Sequence, residues 1–298
     1  MRITFDAQTR HAADAINRAA ERLFELQRQV SSGKRVQRAS DDPSAAAGAS
    51  VERGKLATTD QYLATADSAK SRLTVIDTVL SDVVQQLTAA QVTVLAARGS
   101  TLTASQREAK ARELEMLRDA VLQDLNSSFR GTYIFAGAAS TTRPYTKDVA
   151  GDVSPYAGST VEVAVDIDNG LEVAVGLNGE ALAKGSDAED VFAVFNRAID
   201  AARAGDVDEL NAVADDLQRA FDRATAMQSR VGAALRAVDD DQLRLAEATR
   251  ASEAQLAALE DTNIAAAVTS MTQAETVYRA AVAAAAQMQR LSLLDYLR

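Results

Sequence analysis

Hydrophobic positions recur with heptad spacing at both ends of the chain. Spacings of three and four residues place side chains on one face of a helix, and such a face is buried only against a partner. Near the end of the chain, the seam comprises Ile264, Val268, Met271, Tyr278 and Val282. Near the start, the matching row comprises Ile16, Leu23, Leu26 and Val30. We predict that these two helices pair with each other, and the same faces could also meet another copy.

The interior of the chain carries further helical patterns. We predict helices over 6–30, from 44 to about 98, from 103 or 105 to about 128, near 191–199, and from 207 to about 259. The pair Ser32 and Gly33 ends the first helix, because Gly33 suits a left-handed C-terminal position. Ser40 or Asp41 can cap the second helix, and Pro43 suits its first turn.

Residues 130–177 switch to β-type patterns. Tyr133 and Phe135 alternate with an isoleucine in a short extended run over 130–139. A clearer hairpin follows, in which apolar residues alternate on both sides of an Asn-Gly pair. A two-residue loop would split the apolar rows across opposite faces, so we predict a three-residue loop over 168–170 with Gly170 left-handed. That loop pairs Ile167 with Leu171, Val165 with Val173, and Val163 with Val175.

Composition excludes several classes of function. The formal net charge of −10 argues against nonspecific binding of nucleic acid, which depends on lysine and arginine. Cysteine is absent, which excludes disulfides, thiolate nucleophiles and zinc–cysteine sites. No run approaches the ~18 apolar residues of a membrane span, so we expect no membrane insertion. The start, MRITFDAQTR, lacks the apolar segment of a Sec signal peptide, so we expect no cleaved signal.

None of the polar groups predicts catalysis. His11 has no metal-spaced partners, and the run Asp239–Asp241 lies in a helical pattern that splays its side chains into solvent. Asp166 and Glu172 share one side of the predicted hairpin, as exposed strand charges often do. Asn126 begins a glycosylation sequon, a weak signal because sequons arise often by chance. With no nucleotide-binding, hydrolase or EF-hand motif, we expect no catalytic residue, no cofactor and no metal ion.

Three segments resemble the bacterial flagellin superfamily. They are QVSSGKRVQRASDDPSAAAGA at 29–49, GTYIFAG at 131–137, and the run from LEDTNIAAAV at 259 to LLDYLR at the end. Asp41 and Asp42 are followed by Pro43, which is similar to the hook-associated protein 3 branch, since flagellins usually continue with alanine. Tyr133, Phe135 and Gly137, with an Arg-Pro-Tyr soon after, are similar to the same branch. The resemblance covers roughly the first 145 and the last 90 residues.

The resemblance implies a mainly α fold. We expect an elongated rod of long antiparallel, coiled-coil-like helices from both termini, with a small inserted β-containing domain. Residues 1–39 with 259–298 would form a terminal assembly domain, 40–145 with 207–258 the helical rod, and 146–206 an outer domain. The two heptad rows would then form an assembly interface, which the resemblance extends to Leu291, Leu294 and Leu297.

The resemblance also implies a function and partners. A protein of this branch is an extracellular structural subunit of the flagellum, exported through the flagellar type III apparatus. It joins hook-associated protein 1 to the flagellin filament as a ring of identical subunits, and an export chaperone binds its C-terminal helix. Two alternatives remain open at this point: flagellin itself, the bulk filament subunit, and a chemoreceptor-like signalling hairpin, which also has long alanine-rich heptad helices.

Overall fold

The computed structural model describes residues 2–148 and 151–296. The helices are α1 (Arg2–Ser32), α2 (Pro43–Ala97), α3 (Ala104–Leu125), α4 (Gly179–Ala183), α5 (Val191–Ala204), α6 (Val207–Glu260) and α7 (Ile264–Tyr296). The strands are β1 (Ser128–Phe129), β2 (Thr132–Tyr133), β3 (Val163–Asp168) and β4 (Leu171–Gly176). β1 pairs with β2 and β3 with β4, each pair antiparallel. The predicted mainly α fold is therefore confirmed; the short helix α4 was not anticipated.

Local sequence signals set the helix ends. Gly33 follows α1 with φ +71°, and Gly205 ends α5 with φ +72°, so both occupy the left-handed position expected of a C-terminal glycine. α3 begins with a capping box, in which the hydroxyl of Thr103 accepts from the backbone of Gln106 and the Gln106 side chain accepts from the backbone of Thr103. Gly33 and Thr103 mark the end of α1 and the start of α3 at positions that the sequence predicts, whereas α5 extends beyond the predicted 191–199.

The chain forms two compact units. The smaller contains residues 1–58 and 248–298, and the larger contains residues 59–247. In the smaller unit, the start of α2 packs on the end of α6: a Cβ on Gly48 would lie 3.1 Å from a methyl group of Leu259. The finer division into a rod and an outer domain stays a prediction.

The core of the larger unit is built from the heptad rows of α2 and α6. The two rows are antiparallel, since Lys70 forms an ion pair with Asp239 at 2.6 Å and Gln91 donates to Gln218 at 3.2 Å. Large residues that recur with heptad spacing along the two helices are buried in this unit: Leu73, Ile76, Leu80, Val83, Leu87 and Val94 on α2, and Leu210, Val213, Leu217, Met227, Val231 and Val238 on α6. The β segments share one hydrophobic core with these two rows.

Among the described residues, α2 is the one helix that is long and apolar enough, by length and composition, to cross a membrane. Part of this apolar surface, including Leu73, Ile76 and Leu80, is buried in the core of the larger unit, whereas Val92 and Leu95 are exposed. The absence of membrane insertion stays a prediction.

The β3–β4 hairpin closes differently from the prediction. Asp168 pairs with Leu171, so the loop contains only Asn169 and Gly170. Gly170 has the predicted positive φ, +84°, whereas Asn169 does not, which excludes a type I′ turn. The three-residue loop and the pairing of Ile167 with Leu171 are therefore wrong.

A bulge explains how the apolar face survives the shorter loop. The register shifts between Asp166 and Asp168, so the intervening Ile167 is accommodated as an extra residue and stays fully buried. Beyond the bulge, Val165 pairs with Val173 as predicted. A second shift sets Val163 opposite Gly176, so its predicted pairing with Val175 is also wrong.

Candidate assembly interface

α1 and α7, the two terminal helices, pack against each other within the smaller unit. Among the described side chains of α7, one is buried, Ala267, and the half-buried ones are Ser270, Met271, Ala274, Glu275, Tyr278, Ala281 and Ala285. All of these except Ser270 and Glu275 follow steps of four and three. The matching positions of α1 are Leu26, which is buried, and Ile16, Leu23 and Val30, which are half-buried. Most of these regularly spaced positions on α7 are alanines, so each adds little apolar surface to the contact between the two helices. We call this face of α7 the alanine-rich seam.

A second apolar row on α7 stays exposed. Ile264 is 55% exposed, Val268 38% and Val282 41%. At 100° per residue these three side chains lie within about 40° of one another, beside the alanine-rich seam. The sequence grouped them with Met271 and Tyr278 in one seam, but the structure divides that seam into a half-buried part and an exposed part. The exposed part is what a neighbouring molecule could cover.

Three of the predicted interface residues fall outside this description. Leu297 lies beyond the described residues. Leu291 and Leu294 lie where the backbone of α7 is described but the side chains are not. Their role in assembly stays a prediction.

A buried carboxylate joins the connector after α1 to the end of α6. Glu260 forms an ion pair with Lys34 at 2.7 Å and a second one with Arg53. Its backbone oxygen accepts from Arg35 at 2.6 Å and from Val36 at 3.3 Å. The hydrogen bond from Lys34 is the main reason why the pKa of Glu260 lies below its usual value. Sequence reasoning missed this cluster, although three basic residues within 34–38 are a signal for an acidic partner.

The two aspartates of the connector have separate structural roles. Asp41 accepts from the backbone N–H groups of Gln37 at 3.1 Å and of Arg38 at 2.9 Å, which closes the connector. Asp42 accepts from the backbone of Ala45 at 3.0 Å and is the cap of α2. The prediction that Ser40 or Asp41 caps this helix is therefore wrong. Asp41 is already engaged by the connector, and Asp42 directly precedes Pro43, the first residue of α2.

The segment around Tyr133, Phe135 and Gly137 lies within the core of the larger unit. β2 ends at Tyr133, and Phe135 is fully buried. Gly137 has φ +55°, and a Cβ there would lie 2.0 Å from the backbone oxygen of Ser159. The backbone N–H of Gly137 donates to Leu177 at 3.0 Å. Only glycine fits at position 137, where three chain segments meet.

Tyr145 fixes the next turn of this region. Its ring is buried against Tyr156 and Phe192, with centroids 5.5 Å and 5.1 Å away. Its hydroxyl donates to the backbone oxygen of Gly179 at 3.3 Å, and its backbone N–H donates to Asn126 at 3.0 Å. Burial raises the pKa of the Tyr145 hydroxyl far above its usual value. Such a hydroxyl stays protonated and serves packing.

The structure also locates the remaining polar candidates. His11 is exposed on α1, and Asp166 and Glu172 face each other as an exposed cross-strand pair. The side-chain nitrogen of Asn126, the atom that a glycan would occupy, is buried without a hydrogen-bond partner in the described part of the chain. Over residues 2–148 and 151–296, no group of three or more metal-ligating side chains is present.

Asp241 contradicts the prediction of a solvated face for 239–241. It is only 2% exposed, because it lies three residues after Val238 and four before Leu245 on the buried stripe of α6. Arg244 forms an ion pair with one of its oxygens, and the other oxygen has no partner among the described residues. Burial raises the pKa of Asp241 above its usual value. Asp239 is exposed, as predicted.

Comparison with known proteins gives a consistent result. Residues 5–140 match the family model of the bacterial flagellin N-terminal helical region. Flagellar hook-associated protein 3 of Escherichia coli (strain K12) is 27% identical over 290 residues, which cover 90% of each chain. Flagellar hook-associated protein 3 of Salmonella typhimurium is 29% identical over 180 residues, 60% of this chain and 56% of that one. The match thus spans little more than half of the Salmonella relative.

The fold is shared with a solved structure. The crystal structure of the flagellar junction protein FlgL from Legionella pneumophila has a TM-score of 0.61 with 15% identity, and the match covers 72% of this chain and all of that chain. The N-terminal family match, the hook-associated relatives and the shared fold support the same assignment, to the FlgL-like branch of the flagellin superfamily, a family of structural proteins of the bacterial flagellum.

Proposed function

We propose that this chain joins hook-associated protein 1 to the flagellin filament as a ring of identical subunits. The names of the relatives support this role: two are called hook-associated protein 3, and the Legionella structure is called a flagellar junction protein. The proposal also has a mechanical reason. A flexible hook and a stiff filament require an adaptor whose helical layers match both neighbours.

The observation that carries the proposal is the exposed apolar row of α7, formed by Ile264, Val268 and Val282. A neighbouring molecule that covers these side chains would remove their apolar surface from water. This burial would stabilise the contact by roughly 25 cal/mol per Å². The alanine-rich seam between α1 and α7 buries little by itself, so neighbouring molecules would add much of the packing that the terminal helices need. Assembly would then bury the apolar surface that a single chain leaves exposed on α7.

Export follows from the same proposal. The chain would leave the cell unfolded through the flagellar type III apparatus, without removal of a signal peptide. Until α7 pairs with α1, both its alanine-rich seam and its exposed apolar row are accessible to solvent. An export chaperone that binds this helix would protect both surfaces before secretion.

Deletion of the gene tests the junction role. We expect hooks without filaments, with flagellin subunits lost to the culture medium. Electron microscopy of the cells and a blot of the medium would show both. Bulk flagellin is the second candidate, favoured by the match of residues 5–140 to the flagellin model. In that case the deletion would remove the main filament protein itself, from cells and medium alike.

A further inference from the structure

A groove of about 360 Å³ opens in the larger unit between α2 and the two β hairpins. Its apolar wall contains Phe129 and the half-buried Val163 and Val165. Two arginines, Arg72 from α2 and Arg130 from the β1–β2 turn, line the same groove. An apolar wall with two cations is the chemistry that binds a carboxylate carried on a short apolar stem.

Arg72 is half-buried without a carboxylate partner. Its Nε donates to the backbone oxygen of Val175, and one terminal nitrogen donates to the hydroxyl of Thr132 at 3.0 Å. These bonds fix the guanidinium, while its second terminal nitrogen has no acceptor among the described residues. Burial without a compensating carboxylate lowers the pKa of Arg72 below its usual value. A carboxylate entering the groove would supply the missing partner.

Three other partly or fully buried arginines each have a carboxylate partner. Arg118 forms an ion pair with Asp119, Arg197 with Asp216, and Arg223 with Asp187. Each of these guanidinium groups meets a carboxylate inside the same chain. Arg98 and Arg107 are also half-buried without an ion pair among the described residues, but only Arg72 lies in a groove beside a second arginine, Arg130, that has no ion pair either.

Arg130 presents a second unpaired cation at a conformational cost. Its backbone has φ +51°, the left-handed region that glycine adopts without strain. Its guanidinium lies over the ring of Phe129, 5.1 Å from the centroid, and forms no ion pair with any described residue. The turn therefore holds an arginine where a glycine would fit more easily, on the rim of the groove.

We propose that this groove receives an aspartate or glutamate side chain from a second copy of the chain. This inference rests on the proposed function, which places identical copies side by side. Each copy has 42 acidic and 32 basic residues, so carboxylates that could pair with a cationic groove outnumber the cations on a neighbouring copy. The groove is large enough for one or two side chains, and Arg72 and Arg130 would pair with the incoming carboxylate.

A photo-crosslinking amino acid at Ser68 tests the contact in flagella purified from the bacterium. Ser68 is exposed on α2 and lines the groove, so both arginines remain in place. We expect a crosslinked dimer of this chain, and mass spectrometry should place the crosslink beside an aspartate or glutamate. In the same background, Arg130→Gly should reduce the dimer several-fold and leave thermal stability unchanged or higher, because it relieves the strained turn. The matched control is Arg236→Ala, an exposed arginine of α6 without an ion pair among the described residues, and it should leave the dimer yield unchanged.

A probe at Ile264 separates the two ideas. If Ile264 crosslinks to neighbouring copies but Ser68 gives no product, or only a product with a different protein, the groove inference is wrong and the junction proposal stands. An unchanged dimer yield with Arg130→Gly would overturn the role of the arginines. If neither position crosslinks to another copy, the ring of identical subunits itself is contradicted, and the groove inference with it.

Discussion

Glu260 and Lys34 form an ion pair of 2.7 Å although they are 226 residues apart in the chain. The Glu260 side chain is only 3% exposed, and Arg53 forms a second ion pair with it. One carboxylate therefore holds the end of α6 to the connector after α1 and to α2. These contacts lie beside the end of α1 and shortly before the start of α7, the two helices that pair with each other.

Replacing Glu260 with glutamine should weaken the attachment of the connector after α1 to the end of α6. The side chain keeps its size but loses its charge, and Lys34 and Arg53 are exposed enough to be hydrated by water instead. We expect a local loss of about 1–2 kcal/mol. Amide hydrogen exchange at Arg35 and Val36, which donate to the backbone oxygen of Glu260, should become about 5–30 times faster.

Glu253→Gln is the matched control for this variant. Glu253 is an exposed carboxylate on the same helix, and its replacement should change local stability by less than about 0.5 kcal/mol. Equal exchange rates in both variants would show that the buried ion pairs do not hold the connector.

The cap of α2 should depend on pH through Asp42. Hydrogen bonds from the backbone of Ala45 and the hydroxyl of Ser44, with Arg35 nearby, lower its pKa from 3.8 to about 2. Because the folded pKa lies below the unfolded one, its contribution is complete above about pH 4 and is lost as the pH falls through about 2. An NMR titration of the Asp42 carboxyl should show this low midpoint.

Asp42→Asn separates charge from capping. The amide oxygen can still accept from the backbone of Ala45, but it does not titrate, so the pH dependence due to this group should disappear. A titration midpoint near 3.8 in the natural chain would contradict the capping geometry.

Gly137 and Gly131 give a matched pair of substitutions. Both have positive φ, +55° and +82°, but a Cβ at 137 would lie 2.0 Å from a backbone oxygen while a Cβ at 131 meets nothing within 4 Å. Gly131→Ala should cost about 1–2 kcal/mol, the strain of the left-handed conformation alone. Gly137→Ala should cost about 3 kcal/mol or more, because the backbone must also move. Urea unfolding of the two variants measures the difference, and equal costs would contradict the close approach.

The helical patterns predicted the long helices well, because periodic burial of large side chains depends only on one helix and the partner that it faces. Leu73 and Leu217 are buried as their spacing requires. Glycine and proline were equally informative at Gly33 and Pro43, where backbone conformation depends on the residue itself.

The errors arose where the structure of a residue depends on contacts that its local sequence does not show. The cap of α2 falls to Asp42 because Asp41 is engaged by the connector, and sequence spacing cannot weigh that competition. The bulge at Ile167 depends on how the whole hairpin packs. Asp241 looked solvated within its acidic run, although the stripe from Val238 to Leu245 passes through it.

The interface was predicted only in part. Large residues led the sequence argument to put Ile264 and Tyr278 in one seam. In the structure α1 pairs with the row that contains Ala267 and Tyr278, while Ile264 stays exposed. Several of the less exposed positions of α7 are alanines, and hydrophobic size alone does not single them out.

The most direct test of the account is the double substitution Ile264→Asp with Val282→Asp, since both side chains belong to the exposed row of α7. Thr276→Asp with Ala283→Asp, exposed positions of the same helix away from that row, is the control. We predict that the first variant is secreted normally but gives hooks without filaments and non-motile cells, while the control swims. Undiminished motility of the first variant would contradict assembly through this row.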